Sequence, residues 1–398
     1  MGHIAAYPDR LAAPLVEAKS DSRAIPWYVW NFTAAALSVT IGGQWDISWH
    51  VSVGRDSFWT PAHMLIYLCG VLGGFGSAAL ILGTTFGRMP KMRASSVRMW
   101  GFRGPLGAFV AAWGGAAMLA SAPFDDWWHN AYGLDVKVLS PPHVVLILGI
   151  LAIKFGALLI VLGEMNRAEG ARRTILRLFF LFLGTLLARD IVAVFALEFM
   201  QRTMQHSGRF FLVAAITVPL GHFAVARVLK GRFPLTAVSG LSFAISLAFL
   251  WILPLFPAEP KLGPVFQQVT HLIPMGGFPL LVPVAMLAAD WLWTRLQGRN
   301  DWTLALILGP AFLAVFIAVQ WPMADFLQSP AARNAFFGSH YLPYFTPPTS
   351  DTAMFRFTTA IDASAAQFWT RIALAFVFSI LSVRAGLGLG SWMEKVQR

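Results

Sequence analysis

The sequence predicts an all-α protein, a polytopic transmembrane helical bundle of about ten spans with both termini cytoplasmic. Three observations carry this. The 398 residues are 57% hydrophobic and 12% charged, with mean hydropathy +0.62. A soluble domain is about 45–50% apolar and about 25% charged, so too few charges remain to wet the surface of a soluble globule. Apolar runs of roughly 20 residues, the length that crosses a hydrocarbon core, recur along the whole chain. Lys and Arg alternate in density between successive connections, which is the signature of membrane topology.

The first 26 residues are polar and read as a cytoplasmic segment with no cleavable leader. The spans then fall near 27–50, 60–86, 104–124, 140–163, 173–198, 209–229, 235–256, 276–297, 302–325 and 364–390. Residues 264–274 are a weaker apolar stretch ending in Pro274-Met275-Gly276-Gly277, expected to form a short or re-entrant helix. With the N-terminus inside, the cytoplasmic segments hold 20 Lys and Arg, the opposite face eight, and the spans two, Lys154 and Arg189. The net charge of +11 therefore reports topology, and nucleic-acid binding is excluded as its explanation. The single Cys69 forms no internal disulfide. The chain divides into the N-terminal segment, a four-helix half over 27–165, and further helices over 166–398, with a long outer loop at about 326–363 that serves as a tether or a lid.

A duplicated pattern occupies the first two outer connections. The first copy holds Asp46, His50, Gly54, Asp56, Thr60-Pro61 and His63; the second holds Asp125, His129, Gly133, Asp135, Ser140-Pro141 and His143. Asp and His four residues apart share one helix face. Thr-Pro and Ser-Pro read as N-cap and N1, which puts His63 and His143 in the first turn of the following helix. The positive end of that helix dipole disfavours imidazolium and keeps these rings neutral for ligation. Each hairpin mouth thus offers one carboxylate and two imidazoles, a set that suits copper, zinc or non-haem iron. A carboxylate near a span's end needs a partner, and metal explains two equally spaced copies better than interfacial pairing with Arg55 and Lys137 does.

At these residues the chain resembles a membrane-embedded, copper-binding component of the copper membrane monooxygenases, the particulate methane and ammonia monooxygenase family. Trp49-His50, Arg55-Asp56, Thr60-Pro61 and His63 carry the resemblance, which spans roughly 27–165. It implies that Asp46, His50 and His63 bind copper. It also implies a second or alternative site at Asp125, His129 and His143, where Asp125 replaces the family's Asn. Arg55, Asp56 and Asp135 would orient the ligands. The same resemblance implies a copper-dependent membrane oxidoreductase, monooxygenase-like, or a metal-bearing subunit of one. Dioxygen, quinol and a small apolar substrate would be its reactants. Its partners would be further membrane subunits, a cupredoxin-like subunit or further copies of the chain. Its place would be the inner cell membrane, with the metal on the non-cytoplasmic side. Two alternatives stay open: a copper- or zinc-binding or transporting protein, and a non-catalytic accessory subunit.

Outside this region, Arg189-Asp190 reads as a mutually neutralising pair within a span, followed by Glu198 near its outer end. Gln267 and His271, four apart, are expected to satisfy broken backbone. His222 reads as a satisfied bundle histidine, Asp290 as a group snorkelling to the cytoplasmic face, and His206 and His340 as outer residues. Gly73-Gly74-Phe75-Gly76 reads as a close helix contact.

Overall fold

The computed structural model describes residues 24–54, 58–132, 139–199, 204–261, 263–266, 268–274, 276–338 and 361–397. It is 76% helical. The helices are α1 (Trp27–Ser52), α2 (Pro61–Thr85), the single turn α3 (Pro90–Arg93), α4 (Leu106–Tyr132), α5 (Pro141–Arg167), α6 (Gly170–Phe199), α7 (Gly208–Leu229), α8 (Pro234–Ile252), α9 (Val282–Arg295), α10 (Asp301–Leu327) and α11 (Ala365–Met393). A two-stranded antiparallel hairpin, β1 (Val97–Met99) with β2 (Phe102–Gly104), lies in the connection before α4. Eight helices among the described residues, α2, α4 to α8, α10 and α11, are long and apolar enough to cross a membrane. The chain is a polytopic helical membrane protein.

Two of the ten expected spans differ from those eight. Helix α1 has the length, 26 residues, but carries Asn31, Gln44, Asp46 and His50 within it. Helix α9 has only 14 residues; at 1.5 Å per residue that is roughly 21 Å, short of a hydrocarbon core of about 30 Å. The expected span began at 276, but Gly276 and Gly277 hold φ of 88° and 72°. Prolines at 279 and 283 then prevent the helix from extending backwards. Residues 264–274 form no helix either. Pro257 and His271 bridge antiparallel instead, with Ala258 N donating to Thr270 O and Leu272 N to Phe256 O. The expected helical relation of Gln267 and His271 therefore does not exist, and Gln267 itself lies outside the described residues. His271 Nδ1 lies 2.9 Å from Thr270 Oγ1.

Two apolar cores organise the bundle. In the first, Phe32 of α1, Leu80 of α2, Phe109 of α4, Leu159 of α5 and Phe180 of α6 are buried together. In the second, Phe211 of α7, Met286 of α9, Phe312 of α10 and Val383 of α11 are buried. Helix α7 joins them, because its Val225 belongs to the first core. Helices α4 and α5 meet backbone to backbone: a Cβ on Gly107 would strike the carbonyl of Gly156, and one on Gly114 that of Gly149. The Gly73–Gly76 run packs as expected, Gly73 against Ile153 of α5 and Gly76 against Asn31 of α1.

Polar contacts tie the basic connections into one end of the bundle. Tyr28 Oη donates to Glu164 Oε1 at 2.8 Å, and Asn166 Nδ2 to Val396 O at 2.7 Å. Arg227 pairs with Asp301 at 3.2 Å, and Lys230 with Glu394 at 2.9 Å. The start of α1 and the end of α11 thus share this end. Asp290 does not snorkel: it is 1% exposed and accepts from Leu235 N at 3.2 Å and Thr236 N at 2.7 Å, capping α8 from α9. Of the long connection after α10, residues 339–360, His340 among them, lie outside the described residues. Its first part is packed, with Phe337 against Phe278 and Phe326.

Candidate metal centre

The far end of α1 presents Asp46 and His50 one turn apart, and α2 opens with Thr60 at its N-cap, Pro61 at N1 and His63 in its first turn. The fold brings the three side chains together. Asp46 Oδ1 lies 3.1 Å from His63 Nε2, and Asp46 Oδ2 lies 3.8 Å from His50 Nε2. One ligand atom from each residue lies within 4.8 Å of the other two.

These distances fit a shared cation. Two ligands about 2.1 Å from one tetrahedral ion stand about 3.4 Å apart, between the two observed separations. Asp46 Oδ1 is buried, yet it accepts no hydrogen bond from a described residue. Its approach to His63 Nε2 therefore lacks hydrogen-bond geometry, as expected of two lone pairs aimed at a third atom. The side chains of Asp46 and His63 are 18% and 23% exposed, whereas that of His50 is 48% exposed. The centre thus has a buried floor and one open edge. Thr60 occupies the cap position without a side-chain cap bond, so Pro61 and the turn set the start of α2.

Gly42, one turn before Asp46, makes the approach possible. A Cβ there would stand 3.0 Å from Ala62 O and from Ile66 N, so only glycine lets α1 close on the first turn of α2. The far side of α1 is held by the second half of the chain. Ser48 Oγ donates to Ile273 O at 2.6 Å, and Ile273 N donates to Ser52 Oγ at 2.7 Å. Lys261 N and Phe266 N donate to Val53 O and Val51 O at 2.9 and 3.0 Å. Sequence reasoning missed this brace. Its signal was a second hydroxyl pair four residues apart, Ser48 and Ser52, lying about 200° around the helix from Asp46 and His50.

The second constellation has the same architecture. Asp125 is near the end of α4, and His143 is the third residue of α5, as His63 is of α2. His143 Nε2 lies 3.5 Å from Asp125 Oδ1, and their side chains are 30% and 33% exposed. His129 stands on α4 four residues after Asp125; its side chain, like Arg55, Asp56 and Asp135, lies outside the described residues. His206 is elsewhere, with Nε2 3.0 Å from Asp325 Oδ1.

The intramembrane charges pair differently from the sequence expectation. Asp190 takes Lys154 of α5 at 2.5 Å, not Arg189, and Lys154 Nζ also donates to Thr40 Oγ1 at 2.8 Å. Arg189 donates instead to Ser246 Oγ of α8 at 2.6 Å and lies over the ring of Phe249. Consecutive helix residues point about 100° apart, so they reach different neighbours. His222 is buried, with Nδ1 2.7 Å from Val218 O, as expected of a satisfied histidine. No family model, curated protein or solved structure matches the chain.

Proposed function

We propose that the chain is a copper-dependent membrane oxidoreductase, or the metal-bearing subunit of one, with Asp46, His50 and His63 as its copper ligands. The observation that carries the reading is the convergence of these three side chains within 4.8 Å, from two helices and with one face open. The resemblance to the copper membrane monooxygenases supports copper over zinc or iron, and it supports dioxygen, quinol and a small apolar substrate as reactants. It also supports further membrane or cupredoxin-like subunits as partners, an inner-membrane location and a non-cytoplasmic site.

Copper, when bound, supplies one-electron and dioxygen chemistry. The chain supplies position and charge. Asp46 offsets part of the cation's charge from a nearly buried carboxylate. His63 sits in the first turn of α2, where the helix dipole favours the neutral ring. His50, half exposed, is the edge at which a reactant or exchanging metal enters. That exposure also supports a second reading, in which the centre carries copper or zinc without oxidising anything.

Elemental analysis and electron paramagnetic resonance of the purified protein test the centre. The double variant His50→Ala with His63→Ala is expected to stay folded and lose one metal equivalent, and an unchanged metal content would refute the assignment. Reductant-dependent oxygen uptake by the wild type then supports oxidation. Metal flux in proteoliposomes without oxygen uptake supports carriage, and neither activity points to an accessory subunit.

A further inference from the structure

A second polar feature lies deeper in the bundle and is independent of the metal centre. Lys154, Arg189 and Asp190 form a charge cluster inside the helices, two cations to one anion. Asp190 is committed to Lys154. Among the described residues Arg189 has no carboxylate oxygen within 4.0 Å. A residual positive charge in a bundle core is costly unless an anion answers it.

Arg189 lines a cavity of about 200 Å³ between α1, α6, α7 and α8. The polar side of this cavity also holds Ser242 and Ser246, and the remaining walls are mostly apolar. One wall is the Gly276–Pro283 segment, which carries the start of α9. Helix α9 is half a span and runs from this cavity to the basic end, so its N-terminus, with its positive dipole end, stands inside the bundle beside Arg189. Half-helices that begin within a membrane bundle are a recurrent way of holding an anionic group there.

We propose that this cavity binds a small monocarboxylate, its head on the Arg189 guanidinium, Ser246 and the start of α9, its short apolar body along α6 and α8. The planar guanidinium fork matches a carboxylate, and the cluster's single excess charge matches a monoanion. The volume, below the roughly 300 Å³ where drug-sized pockets begin, limits the enclosed part to a few carbons. The carboxylate comes either from water or from the head of a fatty acid in the bilayer.

Equilibrium binding of radiolabelled butyrate to the purified full-length protein, with butyramide, chloride and oleate as competitors, tests this. Saturable butyrate binding is expected, undisturbed by butyramide and by equimolar chloride. It should weaken at least tenfold in Arg189→Gln and in the cavity-filling Ala193→Phe. Displacement by oleate at lower concentration than by unlabelled butyrate assigns the head to a lipid, and the reverse assigns it to a soluble acid. Ala193→Phe leaves the charge cluster intact and decides the matter should Arg189→Gln fail to fold. No saturable binding of butyrate or oleate, binding unchanged in the folded variants, or a site that chloride fills equally well would overturn the proposal. The double variant of His50 and His63 is expected to bind butyrate as the wild type does, so the two readings fail separately.

Discussion

Ser48 of α1 and Ile273 of the α8–α9 connection are joined by a 2.6 Å hydrogen bond from the Ser48 hydroxyl to the Ile273 carbonyl, and Ser52 takes the amide of the same residue at 2.7 Å. Both serines are 0% exposed. The loop thus finds its backbone partners on the helix that carries Asp46 and His50, on the side facing away from them. Replacing both serines by alanine leaves the amide and carbonyl of Ile273 buried without these partners, at about 1–3 kcal/mol each. We expect Ser48→Ala with Ser52→Ala to lower the unfolding midpoint in detergent and to speed metal loss to a chelator, with metal stoichiometry in the folded protein unchanged. Identical loss rates would show that the brace does not set the position of α1.

Gly42 acts on the same geometry from the other side. A leucine there meets the Ala62 carbonyl and the Ile66 backbone, and forcing such bulk into a packed contact costs about 1–3 kcal/mol. The helices are then pushed apart one turn from Asp46, separating it from His63 without removing a ligand. Gly42→Leu should weaken copper binding at least tenfold in a competition titration, while Gly43→Leu, where a Cβ meets nothing within 4 Å, should leave it as it was.

The cluster of Asp46, His50 and His63 was legible in the sequence because every relation that builds it is local. Asp46 and His50 share a helix face by spacing alone, and Thr60-Pro61 fixes where α2 begins. The repeat at Asp125 and Ser140-Pro141 shows the same pattern twice. What was not legible depends on which distant element lies opposite. Asp190 lies next to Arg189 in sequence, but its partner, Lys154, lies on another helix. The 264–274 stretch reads as apolar and helical, and only the waiting hydroxyls of α1 and the strand-like pairing with Phe256 and Ala258 make an irregular fold the better use of its backbone. Asp290 reads as an end-of-span carboxylate until the N-terminus of α8 is seen against it.

The Lys154–Asp190 pair gives a third expectation. Lys154 is 1% exposed, and its ammonium is held by Asp190 at 2.5 Å and Thr40 at 2.8 Å. Removing one partner leaves a buried charge uncompensated, worth about 3–5 kcal/mol, whereas removing both with apolar residues of similar size is near neutral. Asp190→Leu alone should therefore reduce the yield of folded protein sharply. Lys154→Met with Asp190→Leu should restore it, as read by size-exclusion profile and unfolding midpoint. Failure of the double variant to recover would mean that the pair does more than neutralise itself.

The two hairpin mouths differ in grip. Asp46 and His63 are 3.1 Å apart, with 18% and 23% of their side chains exposed; Asp125 and His143 are 3.5 Å apart, with 33% and 30% exposed. A looser and wetter pair holds its ion less tightly, because solvent competes for the cation and screens its attraction to the carboxylate. At saturating copper we expect two equivalents per chain in the wild type, one in His63→Ala, one in His143→Ala and none when both are replaced. A chelator titration of the wild type should show two phases, the first absent in His143→Ala and the second absent in His63→Ala. If His143→Ala keeps the full metal content, or if both phases vanish together in either variant, the second constellation is a structural echo of the first and holds no ion of its own.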